Sequence, residues 1–252
     1  MIRALTQVGR SATRLDGQAK VTGAVRYAAD IQRPGMIWGK CLRSPYAHAR
    51  IRSIDTAAAK NIEGAFAVLT ADDLPRRLVG RRLKDMPVLA QQTVRFIGER
   101  VAVVAAQTPE IAEEALSRIV VDYEEMKSVH HPIEAMADGA PILHENLRNY
   151  EILRLPLPDI PNVHSRVQSV FAEVAQGFQE SELIFEQTFT TPRVHHGYLE
   201  PHAVVVDIEP SGRIIVWCPA KGPYVTRSHL AEWLDLPEEK ICFQISPVGG
   251  DF

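Results

Sequence analysis

The sequence predicts an α+β fold in two parts, and three observations carry that prediction. Short apolar runs of strand length recur through the first half of the chain, at residues 36–42, 48–54, 65–69, 94–97 and 101–106. One strongly signalled helix follows them, opened by Thr108 and Pro109. A stretch punctuated by Pro132, Pro141, Pro156, Pro158 and Pro161 then separates this texture from a second unit that starts near His164.

Each element has its own reason. Residues 1–24 read as an extended arm with turn signals at Asp16-Gly17 and Thr22-Gly23. Residues 25–27 and 36–42 are strand candidates separated by a turn at Arg33-Pro34-Gly35. Residues 48–54 alternate as a half-exposed strand does. Asp55 caps a short helix over 56–60, stopped near Gly64. Residues 65–69 are a buried strand, and 70–74 a capped turn ended by Pro75. Residues 94–97 and 101–106 are strands with a break at Gly98-Glu99-Arg100. In the helix after them Thr108 is the cap, Pro109 the first helical residue, and Ile111, Ala115, Leu116 and Ile119 keep helical spacing. A returning strand covers 119–123.

In the second unit, Val170, Phe171, Val174 and Phe178 share a helical stripe over 167–178, and 183–189 alternate like a strand. A turn at 208–213 joins a strand at 214–218; an amphipathic helix over 223–234 is stopped by Pro237; the last strand is 240–245. This unit is too small to close its own sheet comfortably and is expected to have a partner.

Composition bounds the function. The chain has 252 residues, 46% hydrophobic and 23% charged, an ordinary globular balance with enough length for a sizeable core. A net charge of -3 points to neither nucleic acid nor an anionic membrane. The arginines at 76, 77, 81 and 82, with Lys84, read as a solvated loop. Cys41, Cys218 and Cys242 form no CxxC pair and suit a reducing, cytoplasmic compartment. The first ten residues hold no secretory signal, and no run approaches a membrane span. His130, His131 and His144 read as exposed.

The segment from Arg193 to His202 concentrates three histidines, a tyrosine and a glutamate ahead of the run 203–206. Read as a strand, it places Val194, His196, Tyr198, Glu200 and His202 on one face, although Pro201 argues for a bend. Three readings stand: a half-buried strand with satisfied polar tips, a zinc site of His196, Glu200 and His202 whose spacing fits no trusted motif, and the wall of a larger cofactor cavity. The chain closes on Gly249-Gly250-Asp251-Phe252, where glycines after a strand let backbone approach a ligand closely.

Here the chain resembles the xanthine dehydrogenase / aldehyde oxidase family of molybdenum hydroxylases, in the front part of the large, molybdopterin-binding subunit. The resemblance rests on segments 8–11, 16–23, 42–51, 94–104 and 120–124, then on 195–202, 221–224 and 249–252, in order along nearly the whole chain. It implies an α/β hammerhead domain after an N-terminal arm over residues 1–135, a Pro-rich linker over 136–163, and over 164–252 the beginning of a molybdopterin-binding domain with mixed sheet and helices, incomplete here. It implies a molybdenum–pterin cofactor, as the cytosine dinucleotide and shared with a companion chain, and hydroxylation of an aldehyde or N-heterocyclic substrate with water-derived oxygen. Iron–sulfur and FAD subunits are the implied electron acceptors, since no cysteine pattern here holds a cluster.

By the same resemblance the cofactor-contacting positions are Val194, Gly250, Asp251 and Phe252. Many members carry glutamine where Val194 stands, and valine cannot donate that hydrogen bond. Glycine is usual where Asp251 stands. The glutamate base of the family lies beyond this chain, so no catalytic residue and no metal ligand is assigned. Two other functions are weighed: a non-catalytic scaffold or assembly protein of the same fold, motivated by Val194 and the early stop, and a zinc hydrolase using His196, Glu200 and His202.

Overall fold

The computed structural model describes residues 8–9, 11–80, 83–150 and 158–250. They form two compact units, Gly35–Thr191 and Met1–Pro34 joined to Pro192–Phe252. The sequence division at 135 and 164 follows composition, whereas this one follows contacts. It takes the N-terminal arm away from the first block and leaves the run up to Thr191 with it.

The arm holds a helix that its turn residues concealed, α1 (Gly17–Val21), with the Asp16 carboxylate paired to Arg14 and Lys20. The strand expected at 25–27 does not form. The Tyr27 N–H donates to Asp30 Oδ2 at 2.9 Å and closes a 3-10 turn over Ala28–Asp30 instead. Local side-chain acceptors compete with ladder bonds in just this way.

Gly35–Thr191 contains β1 (Trp38–Arg43), β2 (Ala49–Asp55), α2 (Ala57–Lys60), β3 (Ala65–Thr70), β4 (Leu78–Val79), β5 (Met86–Pro87), β6 (Thr93–Val94), β7 (Arg100–Ala106), α3 (Pro109–Ser117), β8 (Val120–Glu125), α4 (Pro132–Ala135) and α5 (Val174–Glu180). One antiparallel sheet runs β1-β7-β3, a second β6-β2-β8, and β4 pairs with β5. Central β7 is buried on both faces, which is why it reads as a continuous apolar run. Ala102, Val104 and Ala106 meet Val68, Ala112, Ala115 and Ile119. Val101 instead joins Ala49, Ala90 and Val94. Alanines on both β7 and α3 let the helix close onto the sheet. Thr108 caps α3 as its sequence predicts, with Oγ1 accepting from the Ile111 N–H at 3.3 Å. Gly64, at φ +84°, makes the turn into β3 where a Cβ would strike Ile111.

The strand expected at 94–97 stops at Val94. The Arg95 N–H is taken by Glu99 Oε2 at 2.6 Å, and Gly98, at φ +89°, turns the chain so that its N–H donates to Ser44 O. Phe96 and Ile97 stay exposed. The helical stripe expected over 167–178 is realised only in α5, and the strand expected at 183–189 does not form. Arg81 and Arg82 of the basic run lie outside the described residues.

In the other unit, β9 (Val205–Ile208) runs antiparallel to β10 (Ile214–Cys218), and β10 runs parallel to β11 (Ile241–Ile245) through the crossover helix α6 (Pro223–Leu234). Asp235, in the left-handed region at φ +57°, ends α6 ahead of Pro237. Ile214, Val216 and Ile241 pack with Ala231 of α6. The opposite face carries Trp217 and Asp207. There Arg33 of the arm lays its guanidinium over the Trp217 ring, 5.4 Å from the centroid, and bonds Asp207 Oδ2 at 2.6 Å.

Candidate functional site

The parallel pair β10 and β11 places Cys218 beside Ile245, so both strands end at one edge of the sheet. Residues 219–222 leave β10 there toward α6, and 246–250 leave β11 there. The carboxyl edge of parallel strands is where open α/β sheets form ligand crevices. The Ser246 N–H donates to Cys218 O at 3.3 Å and ties the two exits together.

Against this edge comes Glu200. Its Oε2 accepts the Gly249 N–H at 2.5 Å. The contact is so close that a Cβ on Gly249 would stand 2.4 Å from Glu200 Cβ, a separation no side chain tolerates. Glu200 Oε1 and Ser246 Oγ are both buried without a hydrogen-bond partner. The Cys218 thiol is pushed up, by burial first and by the Glu200 charge second, which favours its protonated form.

The histidine-rich segment ahead of Glu200 is not a strand. Residues 192–204 take neither helix nor strand, and the chain bends at 199–200 before Pro201. Strand pairing starts only at Val205. The local bonds are compact: His195 Nδ1 accepts the Gly197 N–H at 3.0 Å, with Gly197 at φ +63°, and the Tyr198 hydroxyl meets His202 Nε2 at 2.9 Å with the two rings stacked. This overturns the zinc reading. Glu200 faces Gly249, His202 faces Tyr198, and among the described residues no three His, Cys, Asp or Glu side chains converge as a metal site.

Of the positions singled out in the sequence, Val194 is 74% exposed and Gly250 is exposed next to the latched Gly249. Asp251 and Phe252 lie outside the described residues. The structure thus brings together a pair that no sequence motif joins, Glu200 and Gly249, 49 residues apart. His144 is likewise not exposed as expected. It is half-buried edge-on against Tyr150, and burial holds its imidazole below the usual histidine range.

Gly35–Thr191 has cavities of its own. One of about 690 Å³ is lined by His48, Arg50, Arg76 and Arg95, and one of about 520 Å³ by Asp85, His144 and Asn162.

The family signature described as "Aldehyde oxidase and xanthine dehydrogenase, a/b hammerhead domain" matches residues 22–127, and that described as "Molybdopterin cofactor-binding domain" matches residues 158–252. The chain belongs to the xanthine dehydrogenase / aldehyde oxidase family. It is 39% identical over 243 residues to a probable xanthine dehydrogenase subunit of Bacillus subtilis, covering 96% of this chain and 31% of that protein. It is 31% identical to the nicotinate dehydrogenase large molybdopterin subunit of Eubacterium barkeri, covering 97% of this chain and 55% of that one. Among solved structures, a reconstituted CO dehydrogenase from Oligotropha carboxidovorans superposes with a TM-score of 0.84 at 31% identity, over 97% of this chain and 31% of its own. The chain therefore spans about a third to a half of the length of these relatives.

The edge of the sheet leaves polar groups open to a ligand. Gly249 admits nothing larger than glycine, Gly250 presents bare backbone, and two buried polar atoms beside the turn lack partners.

Proposed function

We propose that this chain supplies the hammerhead domain and the first part of the cofactor-binding domain of a molybdenum hydroxylase large subunit. The assembled enzyme oxidises an aldehyde or an N-heterocyclic or aromatic substrate with oxygen from water. The observation that carries this reading is the Gly249–Gly250 turn, held by Glu200 at the shared carboxyl edge of β10 and β11. The bound molybdenum–pterin group supplies water activation and accepts the substrate's electrons.

The chain's own part is to bind and orient. Gly250 offers backbone to the cofactor, Asp251 and Phe252 are the further contact positions the resemblance implies, and Val194 adds an apolar wall that gives no hydrogen bond. By function, residues 1–135 are arm and hammerhead, 136–163 linker, and 164–252 cofactor domain. The cytosine dinucleotide form of the cofactor, an iron–sulfur subunit, an FAD subunit and the remainder of the molybdopterin subunit complete the assembly. Cytoplasmic residence fits the unpaired Cys41, Cys218 and Cys242; no helix among the described residues is long and apolar enough to cross a membrane.

The test is the complex purified with its native partner chains. Stoichiometric molybdenum and pterin, with bleaching of the partners' visible absorbance when an aldehyde or N-heterocycle is added, is the expected result. A complex that assembles without either would leave the scaffold role instead.

A further inference from the structure

We infer that Glu200 is a positioning residue that fixes the backbone of the Gly249–Gly250 turn with one carboxylate oxygen and keeps the other, Oε1, for a hydrogen-bond donor of the group the turn cradles. This deepens the proposed function and rests on it only in its second half.

The first half follows from geometry. A turn of two consecutive glycines has wide conformational freedom, and a ligand that binds its backbone must otherwise immobilise it at an entropic cost. Glu200 removes that freedom in advance. Its Oε2 accepts the Gly249 N–H at 2.5 Å, a charge-assisted bond, while its Cβ occupies the space a side chain at 249 would need. Glu200 itself lies in the bend at 199–200 and precedes Pro201, so its own backbone has little freedom. The latch therefore joins a stiff point to a slack one.

The second half follows from hydrogen-bond accounting. A carboxylate offers acceptors on both oxygens. Oε1 is fully buried and has none of its capacity used, and the Ser246 hydroxyl at the start of the same exit is buried and unused as well. Buried polar atoms are rarely left unpaired, and two beside one glycine turn mark a place where a polar ligand completes the set. An acceptor-only oxygen selects a donor: an amino group, a ring N–H or a hydroxyl.

Substitution separates the two halves in the full-length chain within its assembled complex. Glu200→Gln keeps a carbonyl oxygen for the Gly249 N–H but turns the second acceptor into an NH₂ donor. Glu200→Ala removes both. Amide exchange of the peptide spanning Gly249 reports the latch, and molybdenum and pterin content after gel filtration reports the cofactor contact. The expected result is Gly249 exchange about tenfold or more faster in Glu200→Ala and near wild type in Glu200→Gln, with cofactor content lowered in both. Unchanged Gly249 exchange in Glu200→Ala overturns the positioning role. Full cofactor content in Glu200→Gln overturns the role of Oε1. If Glu200→Ala loses protection throughout β9–β11, Glu200→Gln decides, since the latch requires it to protect Gly249. A wild-type complex free of molybdenum and pterin sinks the proposed function, while the exchange measurement still judges the latch.

Discussion

Glu99 shows how one side chain can carry a pH dependence. It is 7% exposed at the turn between β6 and β7, and burial pushes its carboxyl above the usual range. The Arg95 N–H and the charges of Arg95 and Arg100 oppose this without cancelling it. A carboxyl raised in the folded state binds its proton more tightly there than in the unfolded chain. Its stabilising contribution is complete below the ordinary carboxylate range and is lost as pH rises through the elevated value. Glu99→Gln keeps an oxygen for the Arg95 N–H and cannot ionise. The thermal stability of the variant should therefore decline less than that of wild type as pH rises from the ordinary carboxylate range toward neutrality; superimposable profiles would show that Glu99 binds its proton no more tightly in the fold than in the unfolded chain. Glu200 teaches the complementary lesson. As a lone letter it suggests a zinc ligand with His196 and His202, because its partner Gly249 is met only through the β9–β11 topology. The resemblance points to the glycines but holds no information about what braces them.

At the scale of elements, what could be read in the sequence was what is decided locally. Thr108, Pro109 and Glu110 announce α3 because cap, fixed φ and first-turn charge all act within four residues. Thr108→Ala removes the acceptor for the Ile111 N–H and should cost about 1 kcal/mol, speeding amide exchange across α3 about fivefold. Thr108→Ser should restore it, and equal exchange in all three proteins would mean the cap is idle. The strands β1, β2, β3, β7, β10 and β11 were legible for a related reason: each finds its ladder within the chain. Residues 183–189 have the same alternation and form no strand, since nothing among the described residues pairs with them. Alternation states a capacity to be half-buried, and a neighbour decides whether that capacity is used. The arm failed to read for the opposite reason. Asp16 and Thr22-Gly23 do turn the chain as read, but Arg14 and Lys20 pair with Asp16 to support α1 between the two turns.

For the molecule as a whole, the apolar surface left uncovered outweighs any single contact. In Gly35–Thr191, Phe171, Phe178, Phe185 and Phe189 are all exposed, Phe185 at 89%. In the other unit α6 covers the centre of its sheet but leaves Val206 and Ile208 of β9 and Ile245 of β11 in solvent, on the two edge strands. Burying one such phenylalanine is worth roughly 1.5–3 kcal/mol, so the four together represent about 6–12 kcal/mol. That matches the net stability of an entire domain, about 5–15 kcal/mol. Exposed apolar surface of this size in one unit, and open strand edges in the other, each drive association with whatever fits them. The chain covers 31% of its Bacillus relative and 55% of its Eubacterium relative, so the fitting surface belongs, on the proposed reading, to the rest of the molybdopterin subunit. Expressed alone, the chain should self-associate in sedimentation velocity, bind a hydrophobic dye strongly and melt without a sharp transition. Co-expression with the remaining subunit sequence should abolish the dye signal and yield one cooperative melt. A monodisperse monomer of the isolated chain, melting cooperatively and silent to the dye, would mean that these phenylalanines find cover within the chain itself, and the need for a companion would fall with them.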